Sequence, residues 1–360
     1  MDFIMENKAK KHLIIAFVAI IVILLAILGI KIFKDQKERI QLKFAENSTD
    51  SEQVVEVAPQ EQEKETEKNI EIFKGTDRPI AVMIDNHKGA WPQAGVNNAY
   101  LVYEIIVEGG ETRLMALFKG VDVDVVGPVR SSRHYFLDYV LENDALYAHY
   151  GWSPKAKTDI SSLGINNING IYYDKPTFWR VSTKSSPHNA MTSTEQILSA
   201  AKKKNYRITS SETSVLNYVS DEVELSEGID ATEVYIPHSY LQDVTYKYNE
   251  KTQRYTRYAR DVLQKDYNTG ESVTTKNIII EFVDNSVLND GTNKDRQDLH
   301  NIGTFDGYYI TNGKAIKIKC TKDARGAKTD YKDLSGNIID INDGNTWINI
   351  CPKKAKVTIK

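Results

Sequence analysis

AYLVYEIIVEGGETRLMALF, residues 99–118, sets two apolar runs on either side of a Gly-Gly pair. The first run is apolar at successive positions, so both of its faces call for burial, as in a central strand. Gly109 and Gly110 make a tight turn, and the second run returns as another strand, so the two read as a hairpin.

Working outward, RPIAVMID (78–85) and ALYAHYG (145–151) are further strands. Between them SSRHYFLDYVLEND, just after Pro128, reads as a helix capped by Ser131 or Ser132, with Phe136, Leu137, Val140 and Leu141 as its apolar stripe. Thr192 and Glu195 have the spacing of a capping box and open another helix, whose lysines stand at its C-terminal end where the helix dipole favours them. This mixture predicts an α/β or α+β N-terminal domain over residues 74–225.

Residues 226–360 predict a mainly β C-terminal domain, a small sheet or barrel. YKYNEKTQRYTRY (246–258) alternates around a polar turn, and KNIIIEFVD (276–284) is a buried strand. Asn312-Gly313 is a strong hairpin signal; Ser335-Gly336 and Asp343-Gly344 mark turns before the strand TWINIC. Cys320 and Cys351 both lie in strand-like runs, either as small buried apolar residues or, outside the cytoplasm, as a disulfide.

The N-terminus has a different texture. Residues 13–30, LIIAFVAIIVILLAILGI, are eighteen consecutive uncharged residues, and Ile32 and Phe33 extend them. Their Leu, Ile, Val and Phe content sums to about −4 to −8 kcal/mol for insertion, and the run exceeds a signal-peptide core, so residues 13–33 read as an uncleaved transmembrane signal anchor. Lysines flank the run on both sides, so charge alone leaves the orientation open. Residues 34–73, rich in Glu and Gln and poor in apolar groups, predict a disordered acidic linker. No cysteine follows the apolar run to accept a lipid.

Forty-six Lys and Arg against 49 Asp and Glu give a net charge of −3. With no basic run and no zinc-like Cys/His spacing, nucleic acid is excluded as a partner class, and no metal or cofactor is expected.

RPIAVMIDN, PQAGVNNAYLVYEIIVEGGETRLMALF, VGPVRSSRHYF, YAHYGWSPKA, and FWR with SPHN resemble the N-terminal domain of the YerB-type lipoproteins, a bacterial family of unknown function. YKYNEKTQRYTRY, KNIIIEFV and DGNTWINICP resemble its smaller C-terminal domain. The resemblance implies an exported envelope protein at the cell membrane, with residues 1–12 in the cytoplasm and the folded domains outside. Lacking the lipid-accepting cysteine of those lipoproteins, this chain would be held by the apolar helix. The family brings no established reaction.

Candidate site residues gather in the first domain. Arg130, Arg133 and His134 fall on one face of the expected helix, in its first turn, where free N–H groups and guanidinium donors suit phosphate or carboxylate; the alternative is a structural network with acids such as Asp138. Glu104 and Glu108 share one face of a strand, and each requires a cationic partner, Arg113 or Arg130 being the natural ones. They are alternatively an acid–base pair. His149 and His188 stand at loop edges, where with Asp85 they would hold a metal or serve Ser153 or Ser186 as a base, although no motif supports either role. Trp91, Tyr150, Trp152 and Trp179, with Arg180, are aromatic core or a surface suited to a sugar or peptide.

The leading expectation is therefore a binding protein, not an enzyme, whose pocket of Arg113, Arg130, Arg133, His149, Arg180 and His188 takes an anionic or cell-wall-related ligand. Glu104 and Glu108 would orient the arginines. The alternatives are an envelope hydrolase using Glu104 or Glu108 with a histidine, and a ligand-free protein–protein interaction module with an exposed apolar patch on the second domain. The expected partners are the membrane, through residues 13–33, and a cell-wall polymer or envelope protein. Oligomeric state stays open.

Overall fold

The central hairpin of the sequence is also the centre of the main sheet. In the computed structural model, which describes residues 70–360 apart from Asn293, β2 (Leu101–Ile106) pairs antiparallel with β3 (Thr112–Phe118), and β3 with β1 (Ile80–Asp85). All three strands are buried along their whole length, as successive apolar positions require. Beyond β1 the sheet continues in parallel through β4 (Leu146–His149) to β5 (Asn167–Asn169).

The chain's second half completes the same sheet. β6 (Glu233–Pro237), β7 (Asp243–Asn249) and β8 (Arg254–Ala259) form the core of a separate antiparallel sheet. β9 (Asn277–Val283), β10 (Gly303–Thr311), β11 (Lys314–Lys322) and β12 (Thr346–Pro352) join the main one. β12 lies in parallel between β9 and β2, with Glu104 opposite Asn349, so late residues stitch onto the early hairpin. The eleven-stranded sheet therefore crosses the division expected at 225/226.

Alternation along β2 sends Val102 and Glu104 to one face and Tyr103 and Ile105 to the other. The first face packs on the β6–β8 sheet through Val234, Ile236, Val244, Tyr246 and Tyr255. The second packs on α1 (Phe136–Glu142) through Phe136, Tyr139 and Val140. Each fully buried Leu, Ile or Val contributes about 1.5–3 kcal/mol, which ties the two halves together. With two other short helices, α2 (Pro154–Ser162) and α3 (Thr194–Lys203), the structure is mostly β, less helical than an α/β first domain would be.

Several expectations hold. Asn312 and Gly313, at φ 49° and 74°, turn β10 into β11 as a two-residue hairpin loop that needs left-handed backbone. Cys320 and Cys351 are buried free thiols. Others are corrected. The helix expected from Ser131 or Ser132 begins only at Phe136. Arg130 N–H donates to Met83 O, Arg130 O accepts from Tyr150 N–H, and Ser132 N–H donates to Gly151 O, so this backbone is consumed by strand-like partners. Ser193, not Thr192, caps α3, its hydroxyl accepting from Gln196 N–H, while Thr192 donates to Thr177 O.

Residues 70–73, assigned to the linker, are docked: Glu71 and Ile72 N–H groups donate to the Asp343 carboxylate, and Phe73 packs edge-on against Tyr100. The signal anchor at 13–33, the tail at 1–12 and the rest of the linker lie outside the described residues. Among the described residues no helix is long and apolar enough to cross a membrane.

Candidate functional site

Asp85 ends β1 and Arg113 stands opposite it on β3, so sheet register brings an acid and a base to one end of the hairpin. The segment after Pro128 runs beside β1 and delivers Arg130 and Arg133 to the same end. Asp85 Oδ2 accepts from His188 Nδ1 at 2.7 Å and lies 3.1 Å from Arg130 Nε, an ion pair outside hydrogen-bonding direction. Asp85 Oδ1 accepts from His87 N–H at 3.0 Å.

The His87 and His188 rings stack at 4.3 Å with planes 12° apart. Gly89 N–H donates to His87 Nδ1, which leaves His87 Nε2 to carry the proton of the neutral ring, 3.9 Å from Glu111 Oε1. Arg260 pairs with Glu111 from the far half of the chain and lies over Trp91.

A more buried arm adjoins this solvent-facing one. Glu108 is not on β2 but in the short turn after it, and both its oxygens accept from Arg133, at 2.5 and 2.7 Å. Arg113 Nη2 and Arg296 Nε lie 4.0 and 3.6 Å from the same carboxylate. Glu108 thus faces three guanidinium groups, of which Arg296 also bonds Asp290. Burial alone would raise the Glu108 carboxyl, but Arg133, with Arg113 behind it, holds it below its usual value. Burial, reinforced by Arg133, pushes the Arg113 guanidinium down to about 9, which leaves it charged at neutral pH. Its Nη1 donates to Ser131 O.

Glu104 points elsewhere, into the core between the two sheets. Its Oε2 accepts from Arg257 Nη2 at 2.7 Å, and its Oε1 accepts from Asn86 and Thr112, with His238 Nε2 3.9 Å away. Burial would raise this carboxyl, and Arg257 followed by His238 outweighs it, so it stays ionised. The expected partners, Arg113 and Arg130, sit with Glu108 and Asp85 instead. With Glu104 sealed from solvent and Glu108 held in a bidentate pair, neither carboxylate is free to act as acid or base in the expected hydrolase.

The expected six-residue pocket therefore divides. Arg113, Arg130, Arg133 and His188 come together. His149 does not, being buried between Gly151 O and the Asn167 amide; burial lowers its imidazole to about 4, so it is neutral and structural. Arg180 is exposed, bonded to Asn189 Oδ1 and lying over Tyr150. His134 pairs with Asp298, and Asp138 with Arg325 rather than with His134. Among the described residues no group of three or more His, Cys, Asp or Glu is arranged to hold a metal.

Sequence reading missed His87, Arg257, Arg260 and Arg296. His87 had a local signal, two residues beyond the end of a strand and two before a glycine. Arg257 and Arg260 had none, because their carboxylates lie more than a hundred residues away in the chain, and the contact of Arg296 with Glu108 is as remote although its other partner, Asp290, is local. For the interaction-module reading, exposed apolar side chains on the second half, such as Tyr240, Val262, Val287 and Leu334, stand on four separate segments.

Two family profiles match the chain: the protein of unknown function (DUF3048) N-terminal domain at residues 66–207 and the protein of unknown function (DUF3048) C-terminal domain at residues 234–348. The candidate lipoprotein YerB of Bacillus subtilis (strain 168) is 33% identical over 283 residues, which span 76% of this chain and 81% of that one. The crystal structure of the Bacillus subtilis YerB protein superposes with a TM-score of 0.70 at 31% identity, covering 79% of this chain and 94% of that chain.

Proposed function

This chain belongs to the DUF3048 family, carrying both of its domains in order, and from that premise we propose that it is an extracytoplasmic, membrane-anchored binding protein for an anionic, cell-wall-related ligand. Residues 13–33 are the anchor of this proposal. The lipoprotein name of its Bacillus subtilis relative supports membrane association.

The observation that carries the binding role is the sharing of Glu108 among Arg113, Arg133 and Arg296, beside Arg130 and the stacked His87 and His188. Four guanidinium groups, of Arg113, Arg130, Arg133 and Arg296, face three carboxylates, Asp85, Glu108 and Asp290, an excess that favours an anion, and His87, Arg130 and His188 are the members that reach towards solvent. Histidine side-chain NMR of the full chain in detergent tests this with a glycerol-phosphate polymer as probe. The signals of His87 and His188 should move on titration while that of His149 stays still. Unmoved His87 and His188 signals at saturating polymer would reject the site.

A second reading, proton transfer at the same place, is favoured by one contact. Asp85 accepts the Nδ1–H of His188 and so presents the other ring nitrogen as a proton acceptor. Turnover of an ester or amide substrate that His188→Gln abolishes, with polymer binding kept, would select this reading over pure binding.

A further inference from the structure

A groove of about 540 Å³ opens at the far edge of the main sheet, between β5, α2 and the turn after β5, and none of its lining residues belongs to a carboxylate–arginine pair described above. Its walls are aromatic. Trp152 and Tyr172 stand with ring centroids 5.8 Å apart and planes tilted by 54°, Tyr173 lies beside them, and Tyr172 is 68% exposed. The paired rings form a partly exposed aromatic wall, not a lone surface side chain.

Two cations line the same groove. Lys157 and Lys204 lie over the rings of Trp152 and Tyr206, and neither has a carboxylate partner among the described residues. Lys155, on the same helix as Lys157, by contrast pairs with Asp159.

The third observation is an amide. Asn169 lines the groove and is only 2% exposed. Its Oδ1 accepts from the N–H groups of Gly151 and Ile171, while its Nδ2 is enclosed with no partner. Native structures rarely leave such a donor unsatisfied, and a bound oxygen is one remedy.

We propose that this groove binds a glycan chain carrying carboxylate groups. Sugar rings present C–H faces to the negative faces of Trp152 and Tyr172, a sugar or acetamido oxygen takes the Asn169 donor, and the lysines meet the carboxylates. A hydrophobic peptide would leave both lysines and the amide unused. The site is separate from the Arg130 and His188 cluster, so either can fail without the other.

Isothermal titration of the full chain in detergent tests it, with two probes: a tetramer of N-acetylglucosamine, and a tetrasaccharide of the same backbone bearing lactyl carboxylates. The carboxylated probe should bind. Tyr172→Ala, which removes an exposed ring, should weaken it by about tenfold. Lys157→Gln/Lys204→Gln should bring the carboxylated probe down to the affinity of the neutral one. Arg130→Ala/His188→Ala should leave both probes unchanged. Trp152→Phe, which keeps a packed ring, should retain part of the binding. No binding of either probe at millimolar concentration would overturn the inference. So would equal affinity in the Tyr172 variant, or loss through the Arg130/His188 variant alone.

Discussion

Arg257 on β8 places its Nη2 2.7 Å from Glu104 Oε2 on β2, and both side chains are sealed from solvent although 153 positions separate them in the chain. The guanidinium also lies over the Trp347 ring, on the strand that β2 pairs with. A carboxylate in an apolar strand thus acquires its counter-charge from the second half of the chain, so the pair couples the hairpin to the β6–β8 sheet.

Breaking that pair leaves an uncompensated buried charge. Glu104→Ala or Arg257→Ala should each cost about 3–5 kcal/mol of unfolding free energy, and Glu104→Gln/Arg257→Met distinctly less than the sum of the two. Denaturant unfolding with the three variants measures this. Additive losses would mean that the two residues act separately.

Glu281 supplies a pH dependence of one sign. Burial, with repulsion from Glu142 and against the attraction of Lys322, raises its carboxyl to about 8. The folded chain therefore keeps a proton that the unfolded chain releases near pH 4.5, so this group's contribution to stability declines as pH rises from there to about 8 and is level above. Glu281→Gln should remove that decline. The gap in melting temperature between variant and wild type should widen in the variant's favour from pH 5 to pH 8, and a constant gap would refute the burial argument.

His149 works the other way. Its imidazole is lowered to about 4 by burial, so between there and its ordinary value near 6.5 the unfolded chain takes up a proton that the folded chain refuses. Its contribution is present above about pH 6.5 and is lost as pH falls to 4. His149→Gln should flatten that acid limb while changing glycerol-phosphate polymer binding at pH 7 by less than twofold. A large loss of polymer binding with an intact fold would return His149 to the ligand site.

How far the sequence could be read follows the range of the signal. The β2–β3 hairpin and the Asn312-Gly313 turn are local patterns, and both were legible. Arg113, Arg130 and His188 lie together at one end of the sheet, but no local pattern places His188 there, since its contact with Asp85 spans 103 positions. The placement of Arg130 and Arg133 outside a helix was not legible either. The backbone of Arg130 is bonded to Met83 and Tyr150 and that of Ser132 to Gly151, and those long-range partners override a good helical stripe. The fate of Glu104 was illegible for the same reason, since its partner Arg257 lies 153 positions away in the chain.

The anion-binding claim meets its most direct test in equilibrium titration of the full chain with a glycerol-phosphate polymer, comparing wild type, Arg130→Ala/His188→Ala and the remote charge control Lys319→Ala. The account predicts binding by wild type and the control and a loss of at least about tenfold in the double variant, the worth of one lost charge-assisted pair. Equal affinity in all three proteins would contradict it.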